Sequence, residues 1–186
     1  EPSAELHRAP SCNQKEDSKE RLSETPFRPN QLPLEDPANR EASGGPDDFG
    51  YSWSDSIAYS WIDATIGVDS GVVGDDRYSS AISIGFPFKF YENTYAQVYF
   101  NTNGLVTFGY GTSEYYNQSI TNPGYPNNLL AVFWDDLIVG APYNPGKIYY
   151  MQGGTAPNRY FVIEWVNVTT CCTNGATDYK TFEAIL

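Results

Sequence analysis

The stretch Tyr95-Ala-Gln-Val-Tyr-Phe-Asn-Thr-Asn-Gly-Leu-Val-Thr-Phe-Gly109 constrains the fold more than any other part of the chain. Two runs rich in β-branched and aromatic residues flank Asn103-Gly104. Both turn residues tolerate positive φ, so Asn-Gly between such runs is the strongest short signal for a β-hairpin. The same grammar runs from Phe86 to Leu186, where short alternating segments are broken by Gly, Asn and Pro and most carry an aromatic side chain. No long amphipathic helix interrupts it, and the pattern predicts an all-β chain folded as an antiparallel β-sandwich. The hairpin stretch contains no His, Cys or Lys, so the part that defines the fold lacks the usual catalytic side chains.

Composition divides the chain. Residues 1–50 hold 17 of the 34 charged residues and 7 of the 13 prolines, but only Phe27 and Phe49 of the 29 aromatics. Such a segment cannot bury enough apolar surface to offset its ordering entropy. Residues 1–48 are therefore expected to be a disordered N-terminal tail and linker, with Ser43-Gly-Gly-Pro46 as the linker proper. Residues 49–186 are expected to form the β-sandwich, since about 135 residues suffice for one.

Within the domain, Ile57–Asp63 reads as a first strand and Gly67–Ser80 as a polar loop. Ala81–Ile84 and Phe86–Tyr91 read as extended segments, with Pro87 confined to an edge or bulge. After the Asn103-Gly104 hairpin comes a long loop, Gly111–Asn128, rich in Tyr, Asn and Pro. Leu129–Trp134 is a continuous apolar run, the mark of a strand covered on both faces, which makes Trp134 an expected core anchor beside Trp165. Lys147–Gln152 and Arg159–Val168 are expected to pair through Gly153–Pro157. Lys180–Leu186 is a last strand, with Phe182, Ala184 and Leu186 on one face. It has no closing turn after it, so the domain is expected to be truncated at its C-terminal end.

The net charge is −12. An acidic chain repels phosphate backbones and anionic membrane surfaces, which argues against a nucleic-acid partner. No apolar run approaches the roughly 20 residues of a membrane helix. The three cysteines are Cys12, Cys171 and Cys172. An odd count leaves at least one unpaired or paired outside the chain. Adjacent Cα atoms lie about 3.8 Å apart, short of the usual disulfide span of about 4.4 Å or more.

Candidate site residues fall into two groups. Tyr110, Tyr115, Tyr116 and Tyr125 crowd one loop, and tyrosine offers large contact area, a polar tip and little entropy cost. They are the expected ligand-binding surface, while the plainer alternative has them covering one end of the sandwich. Asp69, Asp75 and Asp76, with Asp135 and Asp136, are the acidic clusters. If a cation binds, these carboxylates are its expected ligands and calcium is the expected ion, although they lack EF-hand spacing. Otherwise they are turn caps and solvated carboxylates, and no cofactor is expected. A glycoside hydrolase using Asp135 and Glu164 is the enzymatic alternative. Nucleophilic catalysis is excluded within the domain, because the one histidine is His7. Asn117-Gln-Ser and Asn167-Val-Thr match the N-glycosylation pattern.

Six segments occur in an order that resembles a family. They are Gly85-Phe-Pro-Phe-Lys-Phe-Tyr91, Val98-Tyr-Phe-Asn-Thr-Asn-Gly-Leu-Val-Thr-Phe-Gly109, Asn128-Leu-Leu-Ala-Val-Phe-Trp-Asp-Asp136, Gly146-Lys-Ile-Tyr-Tyr150, Phe161-Val-Ile-Glu-Trp-Val-Asn-Val168 and Thr181-Phe-Glu-Ala-Ile-Leu186. In this order they resemble the nidogen-type (NIDO) extracellular domain, and look closest to versions in large secreted or surface bacterial proteins. The resemblance implies a secreted or cell-surface module without catalytic residues, used in adhesion or in contact with matrix, protein or glycan partners. The alternative is a carbohydrate-binding module attached to a secreted hydrolase. A row of coplanar exposed rings would favour that alternative.

Overall fold

A computed structural model describes residues 42–120, 123–171 and 178–186. The expected tail up to residue 41, Cys12 and Cys172 lie outside the described residues. The chain separates into two units, Ser11–Ser60 and a larger one containing Trp61–Leu186.

In the first unit, Ser43–Gly44 (β1) pairs antiparallel with Trp53–Ser54 (β2). Ser43–Pro46, expected to be a bare linker, thus supplies a strand. Asp47 closes the connection, its Oδ1 accepting from the N–H groups of Phe49 and Tyr51 at 3.0 and 2.8 Å. That is the Asx geometry by which a short carboxylate stabilises a turn.

The larger unit is an antiparallel sandwich. One sheet contains Ile82–Phe90 (β5), Asn93–Phe100 (β6), Leu105–Thr107 (β7) and Leu129–Ala131 (β8), in that order. The other is built around Asn158–Thr170 (β11), which pairs with Lys147–Thr155 (β10) on one side and Lys180–Ile185 (β12) on the other. The short strands Val68–Asp69 (β3), Gly74–Asp75 (β4) and Leu137–Val139 (β9) complete it. The core draws on both sheets, with Ile84, Phe90, Val98, Phe100, Val106 and Phe108 from one and Ile148, Phe161, Ile163, Trp165 and Ala184 among those from the other. Phe100 meets Trp165 edge-on across the sandwich, ring centres 6.3 Å apart.

The hairpins form where the sequence places them. β6 and β7 pair as Tyr99↔Thr107 and Phe100↔Val106, with Asn101–Gly104 between them. β10 pairs with β11 along the whole length of β10, to Thr155↔Asn158, so the turn is shorter than Gly153–Pro157. Pro87 sits on the edge strand β5, inside the register shift between Ser83 and Phe88. Phe182, Ala184 and Leu186 pack on the core, as the alternation requires.

Three expectations are corrected. The strand covered on both faces is β11, where Phe161 through Trp165 are all buried. Leu129–Trp134 supplies only the half-buried β8. Its continuation is diverted because the N–H groups of Val132 and Phe133 both turn to the Gly104 carbonyl, at 3.1 and 3.3 Å. Trp134 is consequently half-buried outside any strand, and Asp135-Asp136 lies in the irregular link to β9. Second, Ile57–Asp63 forms no strand. The Ile62 and Ala64 N–H groups, which a ladder would use, donate instead to the Glu183 and Glu164 carboxylates. Third, Gly67–Ser80 contains the two short strands β3 and β4 rather than loop alone.

The Asn101–Gly104 turn is the least expected feature. Hairpin turns usually face water, but Thr102, Asn103 and Gly104 are buried. Asn103 Oδ1 accepts from Leu137 N at 2.9 Å. Its Nδ2 donates to Asp76 Oδ1 at 2.9 Å and lies 3.3 and 3.4 Å from the Ser113 and Glu114 carbonyls. Asn101 Nδ2 donates to the Thr112 carbonyl, and the Asn101 carbonyl accepts from Trp165 Nε1 at 2.9 Å. Gly104 has φ +75, and a Cβ there would stand 2.1 Å from the Phe133 carbonyl oxygen. Only glycine fits both demands.

This packing sets the expected cost of three substitutions. Trp165→Ala should cost about 3–5 kcal/mol in denaturant unfolding, and Trp134→Ala distinctly less, since its ring is half-buried. Asn103→Asp keeps the acceptor for Leu137 but removes the donors and places a carboxylate opposite Asp76. It should cost about 3–5 kcal/mol at neutral pH, with partial recovery in acid as the introduced carboxyl protonates. Stability unchanged by acid would show that the lost donors alone matter.

Candidate functional site

The residues between β7 and β8 form a loop whose ends meet. Thr107 Oγ1 donates to the Tyr110 carbonyl at 2.6 Å, and Phe108 N to the Asn128 carbonyl at 2.9 Å. Tyr110 Oη then accepts from Asn127 N at 2.6 Å and donates to the Asn127 carbonyl. Asn127 Nδ2 in turn donates to the Pro123 and Gly124 carbonyls. Burial pushes the Tyr110 hydroxyl above its ordinary pKa, against the pull of the Asn127 backbone. It therefore stays a donor across neutral pH.

This clamp places the Tyr110 and Tyr125 rings 5.5 Å apart, inclined by 32°. Tyr125 is 58% exposed, while Tyr110, Tyr115 and Tyr116 are half-buried. The four tyrosines thus do not form one flat row. Two are brought together as a rim, and the other two lie between them in the chain, where Glu114 Oε1 accepts from Tyr116 N. A cleft of about 200 Å³ is lined by residues including Phe90, Tyr91, Gln118, Asn127, Leu129 and Trp134. The loop is tethered twice more, by the Asn101 and Asn103 amides near its start and by Asn117 Nδ2, which donates to the Trp134 carbonyl.

The acidic candidates scatter. Asp69 pairs with Lys147 at 2.8 Å, and the hydrogen bond from Lys147, then that from Gly71 N–H, holds its carboxyl below the usual range. Asp76 accepts from Asn103. Asp135 Oδ1 accepts from Asp136 N. Asp75 and Asp136 converge, together with Cys171, with one ligand atom of each lying within 4.8 Å of the others. Calcium takes six to eight oxygen ligands, and here sulfur occupies the third position.

Glu164 and Glu183 stand opposite each other on β11 and β12. Both are buried, and both hold the segment before the 3-10 turn Ala64–Ile66. Glu164 Oε2 accepts from Ala64 N at 2.7 Å, and Glu183 Oε1 from Ile62 N at 3.0 Å. Burial, above all, raises the Glu164 carboxyl above its ordinary value. The Ala64 N–H opposes this, Asp63 adds to it, Trp61 opposes it and Glu183 adds to it.

The profile of the family described as NIDO related matches residues 50–186, which span both sheets and the tyrosine loop. The chain belongs to that family. It is 28% identical over 137 residues to alpha-tectorin of Mus musculus, a match covering 60% of this chain and 6% of the relative. The human alpha-tectorin matches to the same extent. The chain thus spans about 6% of the length of these curated relatives. No solved structure matches.

What sequence reasoning missed is the support of the rim. Asn127 is one of many asparagines in a Tyr/Asn/Pro loop, and Trp134 reads as core until the chain is seen to leave β8. The only signal for the clamp is that Tyr110 and Asn127 flank the loop at the ends of two predicted strands.

Two predictions concern ionisation. Glu164 binds its proton more tightly folded than unfolded. The stability it contributes is therefore complete below the unfolded pKa and is lost as pH rises through the folded one. Glu164→Gln keeps an acceptor for Ala64 N–H, so the variant should gain on the parent as pH rises from acid to neutral. A pH-independent difference between the two would contradict the assignment. Calcium is expected to leave the melting temperature unchanged relative to chelator. A rise abolished by Asp136→Asn would restore calcium at the Asp75–Asp136 pair.

Proposed function

We propose that this chain is a non-catalytic, extracellular module that binds a protein or matrix partner, with the Tyr110–Tyr125 rim and the adjoining cleft as its contact surface. Membership of the NIDO-related family and the likeness to alpha-tectorin support the class. The observation that carries the surface is the clamp. Tyr110 is fixed at both ends of its hydroxyl by Asn127, and it presents a 58%-exposed Tyr125 beside it. Holding an aromatic anchor in place before binding lowers the ordering cost of association.

The enzymatic alternative draws no support from its two carboxylates. Glu164 is engaged with the Ala64 backbone and Asp135 with that of Asp136. The carbohydrate-binding alternative called for coplanar exposed rings, whereas the two paired rings are inclined and one is half-buried. Among the described residues no helix is long and apolar enough to cross a membrane.

The test is binding of the purified chain to decellularised extracellular matrix and, separately, to immobilised neutral glycans. An interface anchor contributes more than about 1 kcal/mol, so Tyr125→Ala should weaken matrix binding by about fivefold or more. Tyr125→Ala binding as well as Thr155→Ala, a change at the exposed tip of β10, would remove the rim from the account.

A further inference from the structure

The sequence carries a modification signal that the contact surface does not use. Asn167-Val168-Thr169 lies inside β11, where the register against β12 shifts between Trp165 and Val168. Val166 and Asn167 together oppose the single residue Thr181, which is the arrangement of a β-bulge. The consequences for Asn167 are specific. Its φ is +52, a left-handed conformation that asparagine tolerates better than most residues. Its backbone N–H is spent on Thr181 Oγ1 at 3.1 Å. Its side chain is exposed although Val168 and Thr169 on its C-terminal side are buried. Among the described residues nothing hydrogen-bonds its side-chain amide. The backbone conformation accounts for an asparagine here, and the threonine two residues on is buried with its Oγ1 accepting from Asn144 Nδ2 at 2.9 Å; together they complete the acceptor pattern. The second match, Asn117-Gln118-Ser119, differs. Its amide is engaged with the Trp134 carbonyl beside the cleft.

We propose that Asn167 is an N-glycan acceptor that carries its sugar on the outer face of the β11–β12 ladder, on the sheet that does not bear the tyrosine rim. The donor is a lipid-diphosphate-linked oligosaccharide. Asn167 Nδ2 forms a bond to the anomeric carbon, the bond from that carbon to the phosphate oxygen breaks, the lipid diphosphate departs, and one amide proton is released. The Asn167 carbonyl oxygen and the remaining N–H stay in place, and the fold loses no hydrogen bond. A bulky hydrophilic group there would keep the outer face of that sheet clear of other chains while leaving the rim accessible. The inference rests on the extracellular reading only in that the chain must pass through a secretory compartment.

The test supplies that passage directly. The full chain is secreted from cultured animal cells behind a cleavable leader and mapped by mass spectrometry before and after peptide N-glycosidase. The peptide containing Asn167 should carry a glycan and should return with aspartate at that position after the enzyme. Asn167→Gly, which suits the left-handed backbone, should abolish that glycan while preserving the melting temperature. The wild-type peptide map decides the matter even if the variant fails to fold. An unmodified Asn167 peptide, or glycan confined to Asn117, would overturn the proposal. Because the leader is provided, such a failure says nothing about the contact surface, which the Tyr125→Ala measurement judges separately.

Discussion

The fold turns on two buried asparagine side chains. Asn101 and Asn103 sit in a hairpin turn enclosed by protein, where every polar group must find a partner or cost free energy. The side chains find partners in three separate places: the strand β9 through Leu137, the short strand β4 through its neighbour Asp76, and the tyrosine loop through Thr112, Ser113 and Glu114, while the backbone carbonyl of Asn101 takes the core indole of Trp165. An amide offers two donors and a separate acceptor oxygen from one short side chain. A carboxylate lacks the donors and an apolar residue lacks both. The same turn, through the Gly104 carbonyl, pulls the chain out of β8 and so decides where Trp134 and Asp135 lie. Packing in the sandwich core and the placement of the rim are therefore coupled through one turn.

The β architecture was legible because it is written in local terms. Asn103-Gly104 specifies a hairpin, alternation in Thr181–Leu186 specifies a face, and Gly153–Pro157 marks the connection that pairs β10 with β11. The misreadings have a common cause. Leu129–Trp134 looks like a central strand by composition, yet the N–H groups of Val132 and Phe133 are claimed by the distant Gly104 carbonyl. Ile57–Asp63 looks like a strand, yet the carboxylates of Glu183 and Glu164, far along the chain, take the N–H groups of Ile62 and Ala64. Periodicity reports which side chains prefer burial. It carries no information about a distant acceptor that competes for the backbone.

The site was legible in part. Tyrosine crowding pointed to the loop proposed as the contact surface, but the pairing of Tyr110 with Tyr125 depends on Asn127, which composition does not single out. Grouping carboxylates by sequence proximity failed more completely. Neighbours Asp75 and Asp76 part because Asp76, with φ +53, leaves the strand and accepts from Asn103, and in the irregular link before β9 Asp135 accepts from the Asp136 N–H. The one convergence, Asp75 with Asp136, joins residues from separate clusters through the β4–β9 pairing.

The carboxylate clasp of Glu164 and Glu183 has a mechanical meaning. Tension applied at Trp61 reaches the clasp at the Trp61 side chain, which hydrogen-bonds Glu164, and then at Ile62 and Ala64. There it meets two discrete side-chain-to-backbone bonds, ahead of the short 3-10 turn and β3. The long ladders of β10, β11 and β12 lie behind them and resist as arrays, many bonds sharing the load. The clasp would yield bond by bond. For a module within a longer chain, the clasp would act as a fuse: extension would peel Trp61–Ala64 from the sheet and expose two buried carboxylates before the long ladders take up the load.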